Sequence, residues 1–460
     1  MAMQSRKDLL HAHRLMTQRA ALALLRGEPD VPDQPLRRLN VGTFAGILVG
    51  VIAAGIFGIW GLLFHGSPSL SKEPSVIIDK QTGATYIWCE HNQAICPEVN
   101  YASALLALQS STAPPVQSVN QSELTGIPHG SLLGIAGLPP DLPTPGLLIK
   151  QPWSVCTLSQ FGHVGGVKTT TAVAGGFQSG GQPIGSSLLL VVDNASGQDW
   201  VIGNGLRMPI NHQTMTDLWP STQPVSVPSV WLNAVPQGDF FQAPPIADQG
   251  SLVTGPTGAK VQVGTLYQNG ASPPQYYVLL DSGSLAPIDQ TQESLLALDR
   301  GNLPPNTSTP PTLNPSQLTN IAPQPSTDGL PTTDKIAVAT QSNTELCAVY
   351  SGTGPALEMQ VETGGQMPTG GMSTGAQPGS GLVDQVALEG GEGALVKESS
   401  VSYILVTDGH RYALANTSVP SFLGYNTSQA VQLPANIVDL IPVGPGFDPA
   451  QANEPVQSGG

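Results

Sequence analysis

Four cysteines are the residues of this sequence best suited to covalent chemistry. They are Cys89, Cys96, Cys156 and Cys347, and four cysteines allow three disulfide pairings. Zinc binding is the alternative, because thiolates and imidazoles are its usual ligands. None of the eight histidines, however, stands at a two-plus-two spacing with these cysteines. The cysteines therefore favour disulfides, and we predict no metal ligands.

Three short fragments resemble parts of catalytic motifs. Asp281 lies in a Leu-Asp-Ser-Gly turn similar to that of aspartic proteases, but the second carboxylate that such a site needs is missing. Ser373 fits a Gly-x-Ser-x-Gly elbow, yet a Gly-rich loop surrounds it instead of a strand and a helix. Lys168 follows a valine where a phosphate-binding loop has glycine. The sequence predicts no catalytic residue and no cofactor, and intrinsic ATPase activity stays as the enzymatic alternative.

A membrane-spanning helix is predicted over residues 41–64. This run of 24 residues carries no charge and is long enough to cross a bilayer with some tilt. It is too long, and begins too far from the N-terminus, for a cleaved signal peptide. Residues 1–40 hold seven Arg or Lys against four acids, and Arg37 and Arg38 border the apolar run. We therefore expect a single-pass plasma-membrane protein with a cytoplasmic N-terminus and a periplasmic C-terminal domain.

The arm before the membrane helix contains a predicted amphipathic helix over residues 5–26. Leu9, His13 and Met16 recur at three- and four-residue steps, with Arg and Lys between them. We expect this helix to dock onto a partner subunit at the membrane face. Binding to anionic lipid is the alternative.

Small residues form a ridge on the predicted membrane helix. One recurs at every fourth position, at Gly42, Gly46, Gly50, Ala54 and Gly58. Such a ridge lets a second helix approach closely. Because glycine is common in membrane helices, a chance pattern is the alternative.

The region after the membrane helix is acidic. Residues 65–460 contain 10 basic and 28 acidic side chains. This charge repels nucleic acid and leaves no basic patch for phosphate-rich ligands, so we exclude nucleic acid as a partner. All four cysteines lie in this region, as is typical of an oxidising compartment.

An internal repeat organises the acidic region. Each copy begins with a β-hairpin, and in three copies a turn glycine, Gly205, Gly283 or Gly409, stands four residues before a Pro or Ala. A short helix, a Pro-rich break and a closing signature of aliphatic residues and Pro complete the copy, as in residues 124–130 and 232–238. The pattern predicts an α+β fold of four degenerate hairpin-and-helix repeats around a β-rich central core.

The repeats and the segments between them divide the chain. Two short β-like runs with a cysteine, at 153–158 and 346–350, are expected to build one core from distant segments. The expected divisions are a cytoplasmic basic arm at 1–40, a transmembrane helix at 41–64, repeat 1 at 65–130, the first central-core segment at 131–187, repeat 2 at 188–261, repeat 3 at 262–329, the second central-core segment at 330–399, repeat 4 at 400–445 and a flexible tail at 446–460.

Three features taken together resemble a known family. They are the arm sequence from His13 to Asp30, the Pro-Leu-Arg-Arg run at 35–38 before one membrane helix, and four degenerate repeats around a cysteine-bearing core. In this order they resemble the EccB family, a membrane component of the actinobacterial type VII (ESX) secretion system. The resemblance implies an elongated periplasmic domain that assembles with itself and with EccC, EccD and EccE into an export complex. The first cysteine pair and the Gly-rich insert at 364–381 depart from the family pattern.

The repeat frame and the resemblance together select one disulfide pairing. Cys89 and Cys96 stand on facing arms of the first hairpin, and the resemblance implies a bond between Cys156 and Cys347 across the core. We expect a structural subunit whose outer domain braces or gates an export channel. A nucleotide hydrolase of the same secretion system is the enzymatic alternative, and a cell-wall-binding module is a third alternative.

Overall fold

The structure, a computed structural model, describes residues 6–26, 35–64, 70–161, 167–299, 302, 308–325, 330–332, 345–352 and 357–456. The chain divides into two compact units, a small unit at 1–71 and a large unit at 72–460. The small unit is helical, and the large unit combines many sheets with short helices. The expected mixed α+β class is therefore confirmed.

The helices of the described residues are α1 (Arg6–Arg26), α2 (Pro35–Phe64), α3 (Tyr101–Leu108), α4 (Gln121–Leu124), α5 (His212–Leu218), α6 (Ser229–Asn233), α7 (Gln290–Ala297), α8 (Val419–Phe422), α9 (Ala435–Val438) and α10 (Pro449–Ala452). Short 3-10 turns lie at Pro145–Leu147, Pro315–Gln317 and Thr427–Gln429.

The strands are β1 (Val76–Asp79), β2 (Thr85–Cys89), β3 (Ala94–Glu98), β4 (Val116–Val119), β5 (Trp153–Phe161), β6 (Val167–Gly175), β7 (Gln182–Pro183), β8 (Leu189–Asp193), β9 (Asp199–Gly203), β10 (Leu206–Pro209), β11 (Val225–Val227), β12 (Leu252–Thr254), β13 (Lys260–Gln262), β14 (Leu266–Asn269), β15 (Tyr276–Leu279), β16 (Leu285–Ile288), β17 (Thr312–Leu313), β18 (Glu345–Ser351), β19 (Glu358–Thr363), β20 (Met372–Ser373), β21 (Gln385–Ala387), β22 (Ala394–Lys397), β23 (Tyr403–Thr407) and β24 (His410–Leu414).

The small unit contains α1 and α2. The large apolar side chains of α1, such as Leu9 and Met16, are more than half exposed. α2 begins at Pro35, before the predicted start at 41, because proline fits the first turn of a helix, where its missing N–H has no partner to lose. A window from Val41 to Gly58 has a mean hydropathy of 2.1 and is long and apolar enough to cross a membrane. One candidate membrane helix is thus present among the described residues.

Three small sheets of the large unit share one strand order. The first (β3-β2-β1-β4), second (β10-β9-β8-β11) and third (β16-β15-β14-β17) each join three antiparallel strands to a fourth that pairs in parallel with the first. The chain reaches this parallel strand through α3, α5 or α7, because parallel strands need a crossover connection. A fourth small sheet (β22-β23-β24) has a single parallel bridge, Val396 to Val431, where the others have a fourth strand.

A closing segment follows each small sheet and returns to its hairpin. It contains a short helix or 3-10 turn and then forms a parallel bridge to the last hairpin strand. The four bridges join Ile95 to His129, Arg207 to Gln237, Leu285 to Ile321 and Arg411 to Val443. The closing signatures of the sequence therefore mark the turns that bring the chain back beside each hairpin.

The two cysteine-bearing segments meet in a seven-stranded central sheet. Its order is β20-β21-β6-β5-β18-β19-β7, and β5 and β18 are antiparallel neighbours. The edge strands β20 and β7 are two residues long, which limits edge-to-edge association. The largest buried cluster surrounds this sheet and includes Trp153, Trp231 and Tyr350. The central sheet is thus the core on which the second and fourth small sheets pack.

The structure corrects two boundaries expected from the sequence. β22 (Ala394–Lys397) pairs with β23, so the fourth small sheet begins before residue 400. The tail expected to be flexible from residue 446 is ordered up to residue 456, since Phe447 and Ala452 are fully buried. Its polar and Pro-rich composition indicated a loop, but these few apolar side chains are enough to fix it against α3.

Two further segments differ from the sequence interpretation. The Gly-rich insert at 364–381 contributes β20 to the central sheet. The hairpin of β12 and β13 follows the second small sheet without having been predicted.

Candidate functional site

The bond between Cys156 and Cys347 joins two distant parts of the chain inside the central sheet. The two residues face each other on β5 and β18, with Cα atoms 4.1 Å apart and a sequence separation of 191. Both are buried, and Phe177 and Met367 pack against them. This bond therefore ties the segment after the first small sheet to the segment before the fourth.

The bond between Cys89 and Cys96 lies in the first small sheet. It joins β2 to β3, which are antiparallel neighbours. Cys96 is buried, whereas Cys89 is half-buried, and the pair lines a groove of about 450 Å³. A Cβ placed on Gly130 would lie 2.5 Å from Cys96 Sγ, so the closing segment packs directly against this bond.

A polar joint connects the second and fourth closing segments to the central sheet. The Tyr350 hydroxyl donates to the Ala234 carbonyl at the end of α6. Asn436 Nδ2, on α9, donates to the carbonyls of Ala234 at 2.8 Å and Asn233 at 3.1 Å. Burial raises the pKa of Tyr350 to about 12, so the hydroxyl stays a neutral donor. The three elements are thus held by directed hydrogen bonds as well as by apolar contacts.

An arginine stands at the same hairpin position in the second and fourth small sheets. Arg207 Nη1 donates to Asn233 Oδ1 at 2.9 Å, and its guanidinium lies 5.0 Å from the Trp200 ring centroid. Arg411 Nη1 lies 2.7 Å from Asp439 Oδ1. Partial burial is the main cause that lowers the pKa of Arg207 below its ordinary value. Each arginine fixes a closing segment onto its own hairpin.

The small sheets also pair through their helices. α3 of the first contacts α8 of the fourth, and α10 of the ordered tail contacts α3. α5 of the second contacts α7 of the third. Buried side chains of both partners share one cluster in each case, for example Leu106 with Val419 and Met215 with Leu295. The first sheet therefore packs with the fourth, and the second with the third.

The predicted turn glycines all have left-handed backbone angles. The φ values are +75° at Gly205, +75° at Gly283 and +73° at Gly409. Residues with a side chain rarely adopt a positive φ, which is why glycine suits these turns. The first hairpin has Gln93 at the same position, with a φ of +47°. Sequence reasoning missed Gln93, although it stands four residues before Pro97, as the glycines stand before their Pro or Ala.

Two of these turns contact the central sheet. A Cβ on Gly205 would lie 3.2 Å from the Met359 carbonyl oxygen on β19, and one on Gly409 would lie 3.1 Å from Met372 Sδ on β20. Gly283 lies instead beside the Thr254 carbonyl of β12. A larger residue at any of the three would meet its neighbour, so these glycines serve both the turn and the packing.

The predicted membrane ridge lies along α2. A Cβ added to Gly42, Gly46, Gly50 or Gly58 would have nothing within 4 Å of it among the described residues. The large apolar side chains beside them, such as Phe44 and Ile47, are exposed. The ridge is thus open to a partner helix or to lipid.

The fragments with a catalytic resemblance lie on three different elements. Asp281 is exposed in the third hairpin turn, where its carboxylate accepts a hydrogen bond from the Ser282 N–H. Ser373 is exposed on β20, and Lys168 lies on β6 next to glycines outside the described residues. No group of three or more His, Cys, Asp or Glu side chains in the described part of the chain could hold a metal ion.

Known proteins with similar sequences share one family. The family model "Type VII secretion system ESX-1, transport TM domain B" matches residues 2–456. The ESX-1 secretion system ATPase EccB1 of Mycolicibacterium smegmatis is 24% identical, over 94% of this chain and 91% of its own length. The ESX-5 secretion system ATPase EccB5 of Mycobacterium marinum is 28% identical over 61% of this chain. That match spans only 56% of the relative.

Solved structures share the fold. One chain of an intact ESX-5 inner membrane complex matches with a TM-score of 0.69 and 22% identity, over 100% of this chain and 97% of that one. The EccB3 dimer from the ESX-3 core complex matches with a TM-score of 0.68 and 24% identity, over 83% of this chain and 100% of that one. Because the family model covers nearly the whole chain, the protein belongs to the EccB family of type VII secretion membrane proteins.

Proposed function

We propose that this protein is a membrane-anchored structural subunit of a type VII secretion complex. The observation that carries the proposal is the combination of one apolar helix, whose large side chains between Val41 and Phe57 are exposed, with a large unit whose small sheets pack on a central core or on each other. An exposed apolar helix is stable only in lipid or against other helices. A relative of this fold belongs to an ESX-5 inner membrane complex, which supports the same assembly here.

We infer that the four small sheets are four copies of one unit around the central sheet. The shared strand order, the crossover helix and the closing bridge support this interpretation. The fourth copy then begins at Ala394, and the ordered tail at 446–456 joins it to the first copy. Such an arrangement suits a brace, because each copy rests on the core or on another copy.

The orientation and partners of the chain follow from the same proposal. The basic arm lies in the cytoplasm, and the acidic large unit lies in the periplasm, where its two disulfides are stable. The partners are EccC, EccD and EccE and further copies of this chain. The EccB3 relative is described as a dimer, which supports self-association.

The membrane ridge offers a direct test of assembly. Gly50→Leu, in the full-length chain expressed with its partner subunits, should reduce the complex on a native gel without reducing membrane insertion. Gly55→Leu is the matched control, because it adds the same side chain to the same helix about 140° around the axis from Gly50. Equal amounts of complex in both variants would contradict a role of the ridge in assembly.

The enzymatic alternative rests on the names of the relatives, which are called ATPases. Purified full-length protein should release no phosphate from ATP above a buffer control. Phosphate release that follows this chain through purification, and that is absent from preparations of the partner subunits, would favour a nucleotide hydrolase over a purely structural role.

A further inference from the structure

Glu98 is a carboxylate buried without a partner. It is the last residue of β3, its side chain is 6% exposed, and neither carboxylate oxygen has a hydrogen-bond partner among the described residues. Burying a charged carboxylate in this way is costly, because the charge loses its hydration and gains no compensating contact. Glu98 therefore needs an explanation beyond the fold.

The equivalent residues in the other small sheets are aliphatic. Glu98 follows Pro97, and the residues one step after Pro209, Pro287 and Ala413 are Ile210, Ile288 and Leu414. These three are 0%, 5% and 5% exposed. This position is thus buried in all four small sheets, and the first small sheet alone places an acid there.

The residues that cover Glu98 are held in place by the C-terminal strap, which we define as residues 446–456. A Cβ on Gly134 would lie 3.0 Å from Glu98 Oε2 and 2.9 Å from Ser103 Oγ, so Gly134 packs closely over both groups. The Gly134 N–H donates to the Glu454 carbonyl at 3.4 Å. Leu133 also forms a bridge to Pro455.

The same segment and strap share a second backbone bond, from the Val456 N–H to the Leu132 carbonyl at 2.9 Å. At its other end the strap is fixed to the fourth small sheet. The Phe447 N–H donates to the Ala413 carbonyl at 2.8 Å, and the Phe447 side chain is fully buried. The strap therefore connects the first and fourth small sheets, and one end of it rests on the segment above Glu98.

The groups around Glu98 do not compensate a negative charge. The Ser103 hydroxyl on α3 accepts the Ile135 N–H at 2.9 Å, and Thr85 is the β2 neighbour of Glu98. The strap contributes the backbone of Glu454, whose own carboxylate is exposed. Burial is the one cause that raises the pKa of Glu98, to about 8.

The titratable side chains on the elements next to β3 are Tyr86 on β2, Tyr101 on α3, and Glu123 and His129 in the closing segment. Tyr86 on β2 and His129 in the closing segment contact each other edge to face, with ring centroids 5.9 Å apart. None of these four side chains is a cause of the raised pKa of Glu98.

We propose that Glu98 is a proton-dependent latch, which holds the strap on the first small sheet while it is protonated and releases the strap when it ionises. In the closed state the neutral carboxyl is tolerated in an apolar position. When the strap and the 131–135 segment open, water reaches the Glu98 carboxyl. The carboxyl then releases its proton to solvent. The charged form is then stable only in the open state.

The sign of the pH dependence follows from the raised pKa. The closed state binds the proton more tightly than the open state, so closure is favoured at acidic pH and weakens as pH rises towards about 8. If opening restores an ordinary carboxyl pKa, the closed-to-open ratio falls about fifty-fold between about pH 6 and pH 8. Because the strap joins two small sheets, alkaline pH loosens their connection.

Hydrogen exchange of the full-length chain in detergent tests the latch. After correction for the intrinsic exchange rate, protection of the Gly134 and Val456 N–H groups should fall about fifty-fold over this pH range. Peptides from β8 and β9 of the second small sheet, to which the strap forms no backbone bond among the described residues, serve as an internal reference and should change little. If the protection of the strap changes with pH no more than that of the reference peptides, the proposal is overturned in the unaltered protein.

Two substitutions separate the proton effect from packing. Glu98→Leu restores the side-chain type of the other three sheets and should make strap protection high and independent of pH. Glu454→Gln removes an exposed acid from the strap and should leave the pH dependence unchanged. A pH dependence that persists in Glu98→Leu, or disappears in Glu454→Gln, would show that another group controls the strap.

Discussion

The two disulfides of this protein stabilise different kinds of region. Cys156–Cys347 lies in the centre of a buried sheet and closes a separation of 191 residues, whereas Cys89–Cys96 closes seven residues beside an open groove. By loop entropy the first is worth about 5 kcal/mol and the second about 2.5 kcal/mol, both as upper values. The core bond therefore holds distant segments together, and the other bond fixes one hairpin.

The largest expected effect comes from removing the core bond. Cys156→Ser with Cys347→Ser should lower the free energy of unfolding by up to about 5 kcal/mol, because the unfolded chain regains the entropy of the long loop. Hydrogen exchange should increase in β5 and β18 and in α6 and α9, which pack on them. If exchange becomes faster only in β5 and β18, the flanking closing segments hold the core without the disulfide.

The bond in the first small sheet should matter less and more locally. Cys89→Ser with Cys96→Ser should lower the free energy of unfolding by up to about 2.5 kcal/mol, with faster exchange limited to β2, β3 and the segment at Gly130. A mild thiol reductant should open Cys89–Cys96 first, since Cys89 is half-buried and the core cysteines are fully buried. Reduction of both bonds at the same rate would contradict this difference in access.

The sequence predicts the local features of this protein well. The turn glycines, the closing signatures and the membrane helix follow from short patterns, because positive φ, proline and a long apolar run each leave a local trace. The polar joint of Tyr350, Ala234 and Asn436 has no local sequence pattern that would predict it. Its partners are 86 to 202 residues apart in sequence, so only the packing of the core brings them together.

The ordered tail and Glu98 show a second limit. Phe447 and Ala452 are isolated apolar residues in a polar segment, and their burial depends on a surface built by the first small sheet. Glu98 stands in a hairpin that was recognised, but its burial could be inferred only by aligning it with Ile210, Ile288 and Leu414. Comparison among the repeats is thus a better guide to unusual residues than motif searches.

The polar joint offers a smaller test of the core. Tyr350→Phe removes the hydroxyl that donates to the Ala234 carbonyl and accepts from Asn436 Nδ2 at 3.3 Å. The carbonyl keeps its bond from Asn436, so the loss should be about 1 kcal/mol. Asn436→Ala should cost a similar amount alone, and the double variant should cost more than the sum, because the carbonyl then has neither donor. Chemical unfolding of the four proteins measures the coupling. Strict additivity would show that water reaches the Ala234 carbonyl and replaces the lost donors.

The smallest expected effect concerns the first hairpin turn. Gln93 holds a left-handed φ of +47°, where glycine occupies the three equivalent turns. Gln93→Gly removes that strain but adds freedom to the unfolded chain, so the net gain in stability should be about 0.5 kcal/mol. The reverse change in the second hairpin, Gly205→Gln, should be destabilising, because the added Cβ also meets the Met359 carbonyl oxygen at 3.2 Å. Thermal unfolding of both variants measures the contrast: a loss of stability in Gln93→Gly would mean that the Gln93 side chain, through its 2.9 Å bond to the Glu90 carbonyl, contributes more than its backbone strain costs.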